Sequence, residues 1–240
     1  MGCRTIRWRR VLLLMAVTLM FLYGIFSFVK MTFFHFSNEV SAFYVEEEKV
    51  PTTTIILDAG HGGYDSGSLS IDNIAEKDIT LNLTLLIGER LEEAGYKVVY
   101  TRTSDDVDWE SDNVADLQAR VEKGIEADAD YFISIHTNSN DFGEASGFET
   151  YLDLQDTKMI EMAYAIHEQL SLLEYSQDRG LKDALENQLY VVSCNPVPAL
   201  LIEIGFITDE QDVNAMINED QQLADAVAQG IIQTLEEENT

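Results

Sequence analysis

The sequence predicts a single α/β domain, with a central, mostly parallel sheet and helices on both faces, preceded by an N-terminal transmembrane helix. Three observations predict it. Short β-branched runs alternate with stretches of helical apolar spacing, the first two such runs flank a helix as a βαβ unit, and the N-terminus carries a long uncharged stretch.

Val11 to Val29 holds nineteen residues without a charge, and Met31 to Phe36 extends the run beyond Lys30. Arg4, Arg7, Arg9 and Arg10 precede it. A run of this length can span a bilayer, with the basic flank, residues 1–10, kept in the cytoplasm. Residues 11–36 are therefore expected to form a single-pass anchor in a bacterial cell membrane, leaving the rest of the chain extracytoplasmic. Val40-Ser41-Ala42 offers a small-residue cleavage site, and cleavage after Ala42 would release a secreted protein. The apolar stretch exceeds the roughly 7–15 residues of a signal-peptide core, which favours an uncleaved anchor. Cys3 lies before this stretch and Cys194 far beyond it, so the exported part has no intrachain disulfide. Residues 37–52, with Glu46-Glu47-Glu48 and Pro51, read as a polar linker to a domain spanning 53–240.

Residues 51–240 carry nine Lys/Arg against 39 Asp/Glu, a formal charge of −30. That surface argues against nucleic acid as a partner, and against docking on polyanions through a basic patch.

Thr54-Ile55-Ile56-Leu57-Asp58-Ala59 reads as a buried strand that stops at Gly60-His61-Gly62-Gly63, a glycine-rich turn with an imidazole on it. The glycines clear space around His61. A helix follows, with Ile79, Leu83, Leu86, Ile87 and Leu91 on one face, and Gly95 ends it before a strand at 96–101. Next come an acidic loop, a helix with Val114, Leu117, Val121 and Ile125 inward, and a strand at 131–135 ending in His136. Residues 147–152 predict a fourth strand. A helix with Ile160, Ala163, Tyr164, His167 and Leu170 on one face follows, and His167 there reads as a packed core histidine. Leu189 to Val192 and 198–206 are expected strands, the last with Glu203 embedded in an apolar run, which is costly unless that carboxyl is paired or functional. Thr208 with Gln211 has capping-box spacing, and a terminal helix carries Ala224, Val227, Ala228, Ile231 and Leu235.

Open α/β sheets bind ligands beyond the carboxyl ends of their strands. His61, His136 and Glu203 all lie at such ends, and a short loop can fold Glu76 back beside His61. Two imidazoles and a carboxylate with an open fourth position form a common catalytic zinc set, and a further carboxylate serves as general base. Spacing alone leaves a second reading open, in which the two histidines are turn residues and Glu76 caps a helix.

Leu57 to Gly67, Ala75-Glu76-Lys77-Asp78, Thr101-Arg102, Phe132 to Asn138, Gly147 to Tyr151 and Pro198 to Thr208, in that order, resemble the zinc-dependent N-acetylmuramoyl-L-alanine amidases that remodel bacterial peptidoglycan. Within that family the short, membrane-anchored form is most similar to the sporulation amidases of spore-cortex maturation. The resemblance implies one Zn2+ held by His61, Glu76 and His136, with Glu203 as the catalytic carboxylate. It also implies hydrolysis of the amide between the lactyl group of N-acetylmuramic acid and L-alanine. Ala59 stands where the family usually has proline. The brief loop after Asn140 leaves no room for a long autoinhibitory helix, so control is expected from expression, location or a partner protein. Asn138, Arg179 and Lys182 are candidate substrate contacts, Arg102 is expected in an ion pair with acidic loop residues, with a hold on a substrate carboxylate as the alternative, and Asp58 is a candidate for holding the His61 ring. The alternatives are a zinc peptidase cutting within the stem peptide and a catalytically silent wall-binding module.

Overall fold

The computed structural model describes residues 15, 17–31, 53–107, 112–141 and 144–238. The chain divides into two units, Met1–Val50 and Pro51–Thr240.

In the first unit, residues 17–31 form a helix, α1, whose side chains are exposed. Among the described residues, no helix is long and apolar enough to cross a membrane. The expected span, 11–36, extends past α1 at both ends, and residues 11–14, 16 and 32–36 lie outside the described residues, as do the flank 1–10 and the whole of the linker 37–52.

The second unit is one α/β domain. Its elements are β1 (Thr54–Ala59), α2 (Glu76–Glu93), β2 (Lys97–Tyr100), α3 (Asn113–Glu126), β3 (Tyr131–Asn138), β4 (Phe148–Leu152), α4 (Thr157–Leu172), β5 (Asp178–Asp183), α5 (Tyr190–Ser193), β6 (Ala199–Phe206), α6 (Glu210–Asn218) and α7 (Asp220–Glu237). The strand order is β2-β1-β3-β6-β4-β5. Four pairings are parallel, and β4 runs antiparallel to β6, so the sheet is mixed. β1, β3 and β6 therefore all point their carboxyl ends to one edge.

Alternation along the strands feeds two cores. Ile55, Leu57, Ile133, Ile135, Leu200 and Ile202 face α2, α4 and α7, and with them bury Leu83, Ile166, Val227 and Ile231. Ile56, Phe132, Ala199 and Leu201 face the other way and pack with Val191, Val192 and Leu117 of α5 and α3. Helices on both faces are as the sequence predicts.

Several elements depart from expectation. Leu189 to Val192 is no strand: Tyr190–Ser193 is the short helix α5. The extra strand is instead Asp178–Asp183, an edge strand whose polar sequence carries no alternating signature. In α3, Val114 and Ile125 are exposed, and the inward face is taken by Asp116, Arg120 and Val121. Tyr164 is exposed, while Met159, Met162 and Ile166 join Ala163, His167 and Leu170 in the buried face of α4. The cap of α6 is Asp209, which accepts from the amides of Gln211 and Asp212, while the Thr208 hydroxyl accepts from Asn140 N instead.

Candidate metal centre

At the carboxyl edge of the sheet, Glu76 stands between two imidazoles. Its Oε1 lies 3.1 Å from His61 Nε2 and 3.2 Å from His136 Nδ1. One ligand atom from each of the three residues falls within 4.8 Å of the others. The two rings meet edge to face, with centroids 4.8 Å apart. Three different elements deliver them: the turn after β1, the first residue of α2, and β3.

Backbone amides complete the carboxylate. Thr137 N donates to Glu76 Oε1 at 2.9 Å, and Ser68 N donates to Oε2 at 3.0 Å. Glu76 is buried, which raises its pKa, but hydrogen bonds from His136 and His61 outweigh burial and hold it well below the usual carboxylate range. Burial opposes a charge on His61, yet Glu76 and then Asp65 lift its pKa to about 9 in the metal-free protein. A cluster so rich in negative charge around two imidazoles is what a divalent cation replaces protons to satisfy.

The His61 ring is oriented by Asp65, whose Oδ2 accepts from Nδ1 at 2.7 Å and leaves Nε2 turned to Glu76. Asp58, the expected partner, does something else. Fully buried on the α3 side of β1, it accepts from Thr101, Ser134 and Arg120, the last at 2.8 Å. Burial raises its pKa, but the Arg120 charge and the Ser134 hydroxyl bring it below the ordinary carboxylate value. Among the described residues Arg102 likewise makes no ion pair with the acidic loop: its hydrogen bonds go to the carbonyls of Ala59, Gly60 and Lys77 and to Thr80. The glycines also serve differently from expectation. Gly60 makes room for His136 rather than His61, since a Cβ there would lie 2.5 Å from His136 Cε1 and Nε2.

Glu203 pairs in register with His136 across β3 and β6, and with Glu149 across β4 and β6. Burial, then the charges of Glu76 and Glu149, push its pKa up to about 8. Its Oε2 is buried with no hydrogen-bond partner among the described residues. An unpaired carboxyl oxygen beside two imidazoles and a carboxylate fits a site built for a small cation and a reacting water.

Glu149 was not singled out from the sequence, although it shares the signal that exposed Glu203: a carboxylate inside an apolar strand. It collects the three candidate substrate residues. Asn138 Nδ2 donates to Glu149 Oε1 at 2.7 Å, Arg179 Nε donates to Oε2 at 2.9 Å, and Lys182 Nζ lies 3.8 Å from Oε2. Arg179 also stacks on Phe206, 5.0 Å from the ring centroid.

His167 stands apart. It bonds Asp178 at 2.7 Å and the Thr150 hydroxyl at 2.9 Å, distances that mimic a catalytic triad. Thr150 is wholly buried, so no substrate reaches it, and His167 is the core histidine expected.

These features define an α/β domain with a mixed six-stranded sheet and a donor set for one divalent metal ion. Residues 55–233 match the family described as N-acetylmuramoyl-L-alanine amidase, and the chain belongs to that family. The protein YqiI of Bacillus subtilis is 36% identical over 188 residues, covering 77% of this chain and 85% of its own. The sporulation-specific N-acetylmuramoyl-L-alanine amidase of B. subtilis is 33% identical over 166 residues; the match covers 68% of this chain but only 59% of that relative, under two thirds of its length. Among solved structures, the CwlD amidase from Clostridioides difficile, determined in complex with the GerS lipoprotein, superposes with a TM-score of 0.69 at 30% identity, over 77% of this chain and 98% of that one.

Proposed function

We propose that this chain is a zinc-dependent amidase that cleaves the bond between the lactyl group of N-acetylmuramic acid and L-alanine in peptidoglycan stem peptides. The observation that carries it is the convergence of His61, Glu76 and His136 on one point, with the unpaired Glu203 carboxyl on the strand beside His136.

His61, Glu76 and His136 would hold the ion. Bound there, Zn2+ would supply Lewis-acid chemistry, polarising a carbonyl oxygen and lowering the pKa of water to roughly 7. Glu203 takes a proton from the attacking water and returns it to the leaving amine nitrogen of L-alanine. Its carboxyl, on the strand beside His136 and with Oε2 left without a hydrogen-bond partner among the described residues, is free to make both transfers. Asp65 keeps the proton on Nδ1 of His61. Arg179 and Lys182, about a third exposed beside Glu149, would meet acidic groups of the stem peptide, with Asn138 adjoining them on Glu149.

The N-terminal segment 11–36 anchors the enzyme in the cell membrane, with linker 37–52 holding the catalytic domain on the extracytoplasmic side. Its work is cell-wall or spore-cortex remodelling, in line with the sporulation-specific relative. Among the described residues between His136 and Glu203, the one long helix is α4, and it packs on α7 in the core rather than across the site. Control therefore falls to expression, location or a partner protein, and a related amidase with a lipoprotein partner supports the last.

Mass spectrometry of muropeptides digested with the purified protein tests this reading. Free N-terminal L-alanine with intact glycan is the expected product, and a metal assay on the same sample should find zinc at one ion per chain. Shortened stem peptides would overturn it in favour of a peptidase, and unchanged muropeptides in favour of a binding module.

A further inference from the structure

One side chain holds the His61 turn from beneath. Arg102 follows β2 and is 4% exposed. Its Nε donates to the Ala59 carbonyl at 3.1 Å, and its Nη2 to the carbonyls of Gly60 at 2.9 Å and Lys77 at 2.7 Å. The Gly60 carbonyl belongs to the peptide unit that enters His61. The Lys77 carbonyl lies one residue beyond Glu76, in the first turn of α2. A planar guanidinium with fixed donor directions thus ties together the backbone beside two metal-ligand residues that are distant in sequence. A lysine offers one point charge on a flexible stem and cannot fix that separation.

Two further features belong to the same clamp. Thr80 Oγ1 accepts from Arg102 Nη2 at 3.2 Å and donates to the Gly60 carbonyl at 2.7 Å, closing a ring of hydrogen bonds under the turn. Gly62 makes space for the guanidinium: a Cβ there would lie 2.8 Å from Arg102 Nε and 2.9 Å from Cδ. His61 itself has φ +60°, a left-handed backbone that a non-glycine residue keeps only where its surroundings enforce it. Arg102 is too deeply buried to meet a substrate carboxylate.

We infer that Arg102 is a positioning residue for the metal centre: it sets the separation of the His61 turn and the start of α2 so that His61 and Glu76 close on one ion. It touches neither the ion nor the substrate. The inference rests on the zinc reading above.

The test uses the full chain in detergent, with Zn2+ affinity measured by chelator competition and the visible spectrum recorded after loading with Co2+. Arg102→Met is expected to lower Zn2+ affinity by about 10–100-fold and to change the Co2+ absorption bands, with Arg102→Lys recovering only part of the affinity. Thr80→Val, which leaves Arg102 in place but opens the ring, should show a smaller loss in the same direction. A purely structural role would lower the melting temperature while leaving the folded protein's Zn2+ affinity and Co2+ spectrum at wild-type values, and that result overturns the inference. Should Arg102→Met fail to fold, Arg102→Lys and Thr80→Val decide by the same two readouts. A wild-type chain that binds Zn2+ no better than His61→Ala would overturn the zinc reading itself, and this inference with it.

Discussion

His136 and Glu203 are register partners on adjacent parallel strands, β3 and β6. Register partners project to the same side of a sheet, so a candidate metal ligand and the candidate proton carrier are placed by backbone pairing rather than by loop conformation. Glu203→Gln preserves shape and removes the proton acceptor. It should retain stoichiometric zinc and lose about 10²–10⁴-fold in turnover of muropeptides. Near wild-type turnover in the zinc-loaded variant would remove Glu203 from its assigned role.

Gly60 probes His136 sterically. A methyl group at this position would sit 2.5 Å from two atoms of the ring, and the backbone needs no positive φ there. Gly60→Ala should therefore displace His136 and weaken zinc binding by at least about tenfold, while the helical and strand content seen by circular dichroism stays unchanged. Unaltered zinc affinity would mean that the ring can shift without consequence.

Asp65 orients His61 through a 2.7 Å contact to Nδ1. Asp65→Ala is expected to cost about 10–100-fold in zinc affinity, read by isothermal titration calorimetry, because the ring loses the acceptor that fixes its tautomer. An equal loss in Asp58→Asn would instead point to general disruption of the turn.

Asp58 and Arg120 form a buried pair at 2.8 Å, with Asp116 on the other side of the guanidinium. Removing one partner of such a pair strands charge in a low dielectric. Asp58→Asn should destabilise the protein by about 3–5 kcal/mol in urea unfolding. A change under about 1 kcal/mol would show that Asp116 and the carbonyls of Ala59 and His61 suffice to hold Arg120.

His167 carries a pH dependence that can be separated from the metal site by working in chelator. Burial lowers its pKa below 6.5 despite the opposing pull of Asp178. A histidine whose folded pKa is depressed contributes stability that is complete above the unfolded value, near 6.5, and is lost as pH falls through that value towards the folded pKa. The stability difference between wild type and His167→Gln should accordingly shrink from pH 7.5 to pH 5. A difference that is constant or grows on acidification would show that Asp178 keeps His167 charged in the folded state.

The strand that stops at Gly60-His61-Gly62-Gly63 and the helices with one apolar stripe are local signals, written in neighbouring residues. Glu203 was legible because a carboxylate in an apolar strand contradicts its surroundings. β5 was hidden because an edge strand buries too little to leave an apolar pattern, and α5 was mistaken for a strand because four apolar or aromatic residues fit either period.

Strand ends and a short loop, both readable in the chain, bring His61, Glu76, His136 and Glu203 to the carboxyl edge of the sheet. Their hydrogen-bond partners follow from packing. Asp58 lies three residues from His61 in sequence, yet strand alternation turns it to the α3 face and into the Arg120 pair, while Asp65 curls back to the ring. Arg102, read as a loop ion pair, lies under the His61 turn with its donors on backbone carbonyls. A hydrogen-bond partner is chosen by proximity and direction after the chain has packed, and charged groups forced together in the interior have few partners left to choose among.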